Sequence, residues 1–179
     1  MITSICRSNK EKYDQMKANS DYEQFLAEVR KVSGIESLKA DEYGLVSVRV
    51  DDAYNVNLQF VEATGKILCF VEVAELPKDA PAAVFRDLLV GGLFGRDTAG
   101  GYFALEPESE TVVYNYFFDL ETAAKDVEEF IATLEKILQL CDIWAERIRR
   151  VLAGEHEGTD GRAGMDATAE VPAQHMIRA

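Results

Sequence analysis

The sequence predicts an α+β fold in which helices and strands follow the order α-β-β-β-α-β-β-α, with the strands in one twisted antiparallel sheet. The spacing of the apolar residues alternates along the chain between a helical period of three to four and a strand period of two. Short turn-forming segments separate the strands within each group, as hairpin connections require. Strand groups that are linked by hairpins and separated by helices are typical of the α+β class.

The first helix is predicted from Ser20 to Ser33. Ser20 precedes Glu23 by three residues, which is the spacing of a capping box, and Gly34 is placed to end the helix. Apolar residues recur at helical spacing between these ends: Tyr22, Phe25, Leu26, Val29 and Val32.

A meander of three strands is predicted next, at Leu45–Val50, Tyr54–Phe60 and Ile67–Val73. Asp51 and Asp52 are expected to make the first turn, since Asp favours turns. The third strand is apolar on both faces, because Leu68 and Phe70 alternate with Ile67 and Cys69. One apolar face is enough for a meander on a core, so the second face predicts either a covering helix or a docking surface.

A second helix is predicted from Asp79 or Pro81 to about Gly95. Two hairpin strands are predicted after it, at Tyr102–Glu106 and Val112–Asp119. The second of these strands is apolar on both faces, so we expect it to be buried on both.

The final helix is predicted to begin between Leu120 and Thr122 and to end near Gly154. Its apolar residues recur at three and four: Val127, Phe130, Ile131, Leu134, Ile137, Leu138, Cys141, Trp144, Ile148 and Val151. The width of this stripe favours packing on the sheet, and a coiled-coil seam stays open as an alternative.

The chain is predicted to contain one folded domain over residues 20–153. Residues 1–19 are polar and weakly patterned, which indicates a flexible N-terminal extension. Residues 154–179 are rich in Gly, Glu, Asp, Thr and Ala and poor in large apolar side chains, which indicates a disordered C-terminal tail.

The net charge of the chain limits the classes of partner that it is expected to bind. The formal net charge is -13, and the basic residues are scattered, so the clustered Lys and Arg that a phosphate backbone requires are missing. We therefore expect no nucleic-acid partner and no anionic membrane surface. The longest apolar stretch, over residues 80–95, is interrupted by charges and too short for membrane insertion.

The cysteines and the N-terminal residues indicate the cytoplasm. Cys6, Cys69 and Cys141 are odd in number and far apart, which argues against a disulfide framework or a zinc cluster and favours a reducing compartment. The first twenty residues lack the apolar core of a signal peptide.

The residue types argue against most catalytic sites. Both histidines, His156 and His175, fall in the predicted tail, whereas a nucleophile needs a rigidly held base. We therefore expect no catalytic residue, no cofactor and no metal. An enzyme acting through carboxylates such as Asp51 or Glu72 stays open as an alternative.

The apolar faces exceed what one small core can use. The excess lies at Leu68, at Phe70 and along the strand from Val112 to Phe118. Self-association about a two-fold axis would cover part of it. An extended partner peptide laid across the strands and the first helix would cover the rest.

The ordered set of motifs over about residues 20–153 resembles the type III secretion (Tir-type) chaperone family. Its opening is carried by Phe25-Leu26, Leu38-Lys-Ala-Asp-Glu-Tyr-Gly44, Val46-Ser-Val48, Val50-Asp-Asp52, Val56-Asn-Leu58 and Gly65-Lys-Ile-Leu68. Leu76-Pro77, Phe85-Arg-Asp-Leu-Leu89, Gly100-Gly-Tyr-Phe-Ala-Leu105 and the amphipathic final helix continue in the family's order. The second helix of the family usually ends with a small residue and Asn, whereas Gly91-Gly92 stand here.

The resemblance implies a homodimer that binds an extended N-terminal segment of a secreted effector, keeps it secretion-competent and presents it to components of the secretion apparatus. It implies hydrophobic binding without catalysis or a cofactor. The implied cargo-binding residues are Phe25, Leu26, Val29, Leu45, Leu68 and Phe70. The implied dimer interface comprises Phe85, Leu88, Leu89, Leu93, Phe94, Tyr114 and Tyr116. A protein-binding adaptor or stress protein outside secretion, on the same fold, stays open as an alternative.

Overall fold

The computed structural model describes residues 19–50 and 53–155. The predicted N-terminal extension lies outside the described residues except for Asn19, and so do the Asp51-Asp52 turn, Cys6 and the predicted tail from residue 156 onward, with both histidines.

The described elements follow the predicted order, with helix α1 over residues 19–33. The strands are β1 (Leu45–Val50), β2 (Tyr54–Val61), β3 (Lys66–Glu75), β4 (Tyr102–Glu106) and β5 (Thr111–Asp119). The later helices are α2 (Ala82–Gly91), α3 (Leu120–Lys125) and α4 (Val127–Leu152), and a short 3-10 turn covers Leu93–Gly95. The predicted strand ends differ from the observed ends by two residues or fewer.

All five strands form one sheet in the order β1-β2-β3-β5-β4, and every neighbouring pair is antiparallel. The α+β prediction is therefore confirmed. Strand β5 inserts between β3 and β4, so it has a hydrogen-bonded neighbour on each side. The pairing of β3 with β5 is interrupted by an irregularity between Glu72 and Ala74.

One face of the sheet, the inner face, packs against α1 and α4. Phe25 of α1 and Phe118 of β5 both meet Phe130 of α4, with ring centroids 4.9 Å and 4.7 Å from it. Cys69 and Cys141 are buried in the same core. The apolar stripe of α4 is thus used inside the protomer, as the sheet-packing interpretation predicts.

A second, smaller core joins α2 to the far end of α4. Val84 of α2 packs there with Val112 of β5 and with Ile148 and Val151 of α4. Arg147 of α4 also pairs with Asp87 of α2, at 3.0 Å between Nε and Oδ2.

The second helix is shorter than predicted, because it ends at Gly91 rather than near Gly95. Phe94 has φ 59, a left-handed conformation that a continuing helix does not allow.

The final helix is broken, whereas one continuous helix was predicted. Asp126 has φ -140 and ψ 83, and its side chain accepts a hydrogen bond from the backbone N–H of Glu129. Asp119 caps α3 in the same way through the N–H of Thr122. Each Asp thus starts its own helix, which the apolar spacing alone does not reveal.

Candidate functional site

The face of the sheet opposite α1 and α4, the outer face, carries a row of paired residues that runs over four strands. Leu45 pairs with Gln59, Gln59 with Leu68, and Leu68 with Phe117. Directly paired residues of neighbouring strands point to the same side of a sheet. Leu45 and Leu68 are half-buried, and Phe117 is 42% exposed.

The next row on the outer face crosses all five strands. It comprises Ser47, Asn57, Phe70, Asn115 and Tyr102. Phe70 is half-buried and Tyr102 is exposed. Together with Val113, the apolar members of these rows on β3, β5 and β4 form a surface that we name the outer apolar patch: Leu68, Phe70, Tyr102, Val113 and Phe117.

The other half of the outer face, on β1 and β2, is polar and internally hydrogen-bonded. Ser47 Oγ donates to Asn57 Oδ1 at 2.6 Å, and Asn55 Nδ2 donates to Glu72 Oε2 at 2.8 Å. Gln59 Nε2 donates to the carbonyl oxygen of Tyr43 at 2.7 Å. The outer face therefore offers an apolar surface beside a fixed row of amides.

The structure divides the predicted cargo-binding residues into two groups. Leu45, Leu68 and Phe70 lie on the outer face, where Leu68 and Phe70 belong to the outer apolar patch and Leu45 is separated from them by Gln59 of β2. Phe25, Leu26 and Val29, in contrast, are buried in the core, with exposures of 2%, 0% and 2%. Their assignment to a cargo surface is corrected here, because the apolar stripe of α1 is needed to cover the inner face of the sheet.

Phe117 and Tyr102 were not among the predicted cargo residues. The strand that carries Phe117 was expected to be buried on both faces, and this expectation is wrong at Phe117. The alternation of apolar residues along β5 shows that two faces exist, but it does not show which face the helices leave open.

A second exposed apolar surface lies on α2 and the residues after it. We name it the α2 surface: Phe85, Leu89, Val90, Leu93 and Phe94. Leu89 is 78% exposed and Phe94 is 95% exposed. Large side chains of this kind, when grouped, mark interaction surfaces.

The segment that carries the α2 surface has no net charge. Residues 82–101 contain two arginines, Arg86 and Arg96, and two aspartates, Asp87 and Asp97, whereas the whole chain has a formal charge of -13. Both aspartates are paired, Asp87 with Arg147 and Asp97 with Arg96.

The predicted dimer residues also fall into two groups. Phe85, Leu89, Leu93 and Phe94 belong to the α2 surface, and Leu88 is half-buried against the second core. On β5, the side chains of Tyr114 and Tyr116 share the inner face: Tyr114 is fully buried, and Tyr116 is half-buried against Phe118. A direct interface contact through Tyr114 is corrected here, since its side chain is buried in the core of the protomer, whereas an interface contact through the half-buried Tyr116 stays a prediction.

The two carboxylates considered for catalysis are Asp51 and Glu72. Glu72 is exposed on the outer face, and Asp51 lies outside the described residues. Two open cavities of about 430 Å³ and 320 Å³ are present, and Glu72 lines neither. Within residues 19–50 and 53–155 no group of His, Cys, Asp or Glu is arranged to hold a metal ion.

The two described thiols are poor nucleophiles at neutral pH. Burial raises the pKa of the Cys69 thiol to about 12, and burial likewise raises the pKa of the Cys141 thiol to about 12. Because these pKa values lie far above neutral pH, both thiols remain protonated there, whereas a thiol must ionise to act as a nucleophile.

Among the described helices, none is long and apolar enough to cross a membrane.

Solved structures share this fold. A chain of the ExsC–ExsE complex aligns with a TM-score of 0.64 and 22% identity, covering 73% of this chain and 95% of that chain. A chain of the HopA1–SchA chaperone–effector complex aligns with a TM-score of 0.57 and 20% identity, covering 75% and 97%. A chain of the Yersinia pestis complex of the type III secretion chaperone SycH with a fragment of YscM2 has a TM-score of 0.50 and 18% identity, covering 66% and 98%.

No curated protein matches the sequence. A family model, in contrast, matches residues 24–145, which run from α1 into α4 and cover the whole sheet. The predicted family is thereby confirmed. The chain belongs to the Tir chaperone protein (CesT) family.

Proposed function

We propose that this chain is a cytoplasmic type III secretion chaperone that binds an extended N-terminal segment of a secreted effector and keeps that segment competent for secretion. The observation that carries the proposal is the outer apolar patch, which no helix of the described residues covers. In a chain that belongs to a chaperone family, such a surface is suited to binding a partner protein. The similar HopA1–SchA structure is a chaperone–effector complex by its own description.

The outer face suits an extended peptide. Apolar side chains of a cargo segment would pack on Leu68, Phe70 and Phe117, which stand on neighbouring strands. Transfer of apolar surface out of water contributes about 25 cal/mol per Å². Several half-exposed side chains covered together therefore contribute a few kcal/mol without any covalent step. The amide of Gln59, next to the patch, would set the position of the peptide.

This mechanism uses binding energy alone. The cargo segment stays extended because its apolar side chains are held by the chaperone rather than by its own core. No nucleophile, base, metal or cofactor takes part, and the protonated thiols of Cys69 and Cys141 stay in the core.

The α2 surface would join two copies of the chain in a homodimer. Two copies that each carry a charge of -13 repel, so a surface without net charge favours their association. Residues 82–101 meet this condition and carry five large exposed apolar side chains. A two-fold interface brings the same surface of both copies together. The outer apolar patch then remains for the cargo.

The substitution Phe70→Asp tests the cargo surface. We expect it to abolish binding of the N-terminal segment of a secreted effector that co-purifies with the wild-type chain, because a carboxylate would have to be buried under the peptide. Co-expression and co-purification of the two proteins measure the binding, and light scattering verifies that the variant has the same assembly state as the wild type.

Ser47→Asp is the matched control, since it places the same carboxylate in the same cross-strand row but on the polar half of the outer face. This control should keep the cargo. Full binding by Phe70→Asp, or loss of binding in both variants, would contradict the assignment of the patch.

A further inference from the structure

The loop over residues 92–101, between α2 and β4, holds two residues in an unfavourable backbone conformation. Phe94 has φ 59 and Ala99 has φ 49, a left-handed region that side chains with a Cβ rarely adopt. The Phe94 side chain is 95% exposed, so packing within the protomer does not offset this strain. Strained residues persist only where the surrounding structure determines their conformation.

Two buried aromatic side chains donate hydrogen bonds to the backbone of this loop. Tyr114 Oη donates to the carbonyl oxygen of Thr98 at 2.7 Å. Trp144 Nε1 donates to the carbonyl oxygen of Asp97 at 3.0 Å. Within the loop, Thr98 is fully buried, and its Oγ1 donates to the carbonyl oxygen of Gly101 at 2.7 Å.

The same two rings occupy the space beside glycines at both ends of the segment. A Cβ on Gly91 would lie 2.3 Å from the Trp144 ring, and a Cβ on Gly101 would lie 2.2 Å from Tyr114 Oη. Neither position can accept a side chain without displacing the ring. The loop is therefore held at its two ends and at its centre by residues from β5 and α4.

We infer that Tyr114 and Trp144 are positioning residues for self-association, which hold the 92–101 loop in the shape that presents Leu93 and Phe94 to the second copy. This inference rests on the dimer in the proposed function. A loop that is already ordered does not lose conformational freedom when the second copy binds, and this preorganisation strengthens the association. Both tyrosine and tryptophan act through the loop, since their own side chains are buried.

Tyr114→Phe tests the inference, because it removes the hydroxyl that bonds the loop and keeps the ring that fills the core. We expect the dimer dissociation constant to rise about tenfold, as the loss of one hydrogen bond implies. Analytical ultracentrifugation of the full chain measures the constant. The matched control is Tyr22→Phe, which removes the hydroxyl of another buried tyrosine, bonded to the carbonyl oxygen of Leu58 in the core, and should leave the constant unchanged.

The fluorescence of Trp144 gives a readout that a purely structural role would not change. Trp144 is the single tryptophan of the sequence, and its indole contacts the loop. In the wild type, dilution through the dissociation constant should leave the emission maximum unchanged. In Tyr114→Phe, dilution should shift it, because the loop then becomes ordered only on association. Faster hydrogen exchange at Gly100 and Gly101, whose N–H groups bond within the loop, should accompany this shift.

Thr98→Val repeats the test if Tyr114→Phe does not fold, because it removes the hydrogen bond from Thr98 Oγ1 to the carbonyl oxygen of Gly101. A dimeric wild type whose dissociation constant is the same in Tyr114→Phe, Thr98→Val and Tyr22→Phe would overturn the inference and leave the proposed function standing. A wild type that stays monomeric at all concentrations would overturn the dimer in the proposed function, and the inference with it.

Discussion

Gly91 marks the place where α2 meets the indole of Trp144. Glycine inside a helix costs roughly 1 kcal/mol relative to alanine, so its presence needs a reason. The reason is the ring of Trp144, which fills the space that a Cβ would occupy. Arg147 lies over the same ring, 4.8 Å from its centroid, and pairs with Asp87 of α2. The absence of a side chain at Gly91 therefore lets α2 and α4 pack closely together.

Gly91→Ala should lower the free energy of unfolding by about 1–3 kcal/mol, because the added methyl group overpacks the site and displaces Trp144. Urea unfolding followed by tryptophan fluorescence measures the change.

Gly92→Ala is the matched control for this effect. Its Cβ would come no closer than 3.4 Å to the nearest atom, and its φ of -71 is one that alanine adopts. We expect this variant to be neutral or more stable by up to about 1 kcal/mol, since alanine restricts the unfolded chain. Equal losses in both variants would show that the Trp144 contact is not the cause.

At the scale of elements, the junction between α3 and α4 determines where the long helix starts. The break at Asp126 lets α3 follow β5 directly and lets α4 take its own direction along the inner face, where Phe130 meets Phe25 and Phe118. The capping bond from the N–H of Glu129 to Asp126 Oδ1 measures 2.9 Å.

Asp126→Ala should destabilise the fold by about 1 kcal/mol, because it removes the cap of α4 and leaves the N–H of Glu129 without its partner. Asp126→Asn keeps an oxygen at the capping position and should retain most of the stability. Thermal and urea unfolding compare the two variants. If both lose the same amount, the charge of Asp126 rather than its cap is responsible.

At the scale of the whole molecule, each face of the sheet has a different role. The inner face is consumed by α1 and α4, the outer apolar patch is proposed for the cargo, and the α2 surface is proposed for the second copy. The charge of -13 is spread over the rest of the chain and favours solubility. Two apolar surfaces on one small acidic protomer would thus serve two different partners.

The dimer should become tighter as salt is added. Raising the NaCl concentration from about 20 mM to about 300 mM shortens the screening length and weakens the repulsion between two acidic copies, while the uncharged α2 surface is unaffected. We expect the dissociation constant, measured by analytical ultracentrifugation, to fall several-fold. A Leu89→Asp control should remain monomeric at both concentrations. A dimer that weakens with salt would point to an interface held by ion pairs instead.

The order of elements, the fold class and the family follow from the sequence alone. Their signals are local: the helical spacing of the apolar residues in α1, the alternation in β1 to β3, and the turns between strands. Leu68 and Phe70 could also be predicted as one surface, because a strand period of two places both on the same face of β3.

The tertiary structure decided which surfaces remain accessible. Phe25 and Leu26 have the same apolar character as Phe117, yet the first two lie in the core and Phe117 is exposed. The need for glycine at position 91 comes from the ring of Trp144, which is distant in sequence. Tyr114 moved from a predicted interface contact to a buried support of the 92–101 loop. Apolar spacing reports which side chains share a face, whereas accessibility depends on which distant element packs against that face.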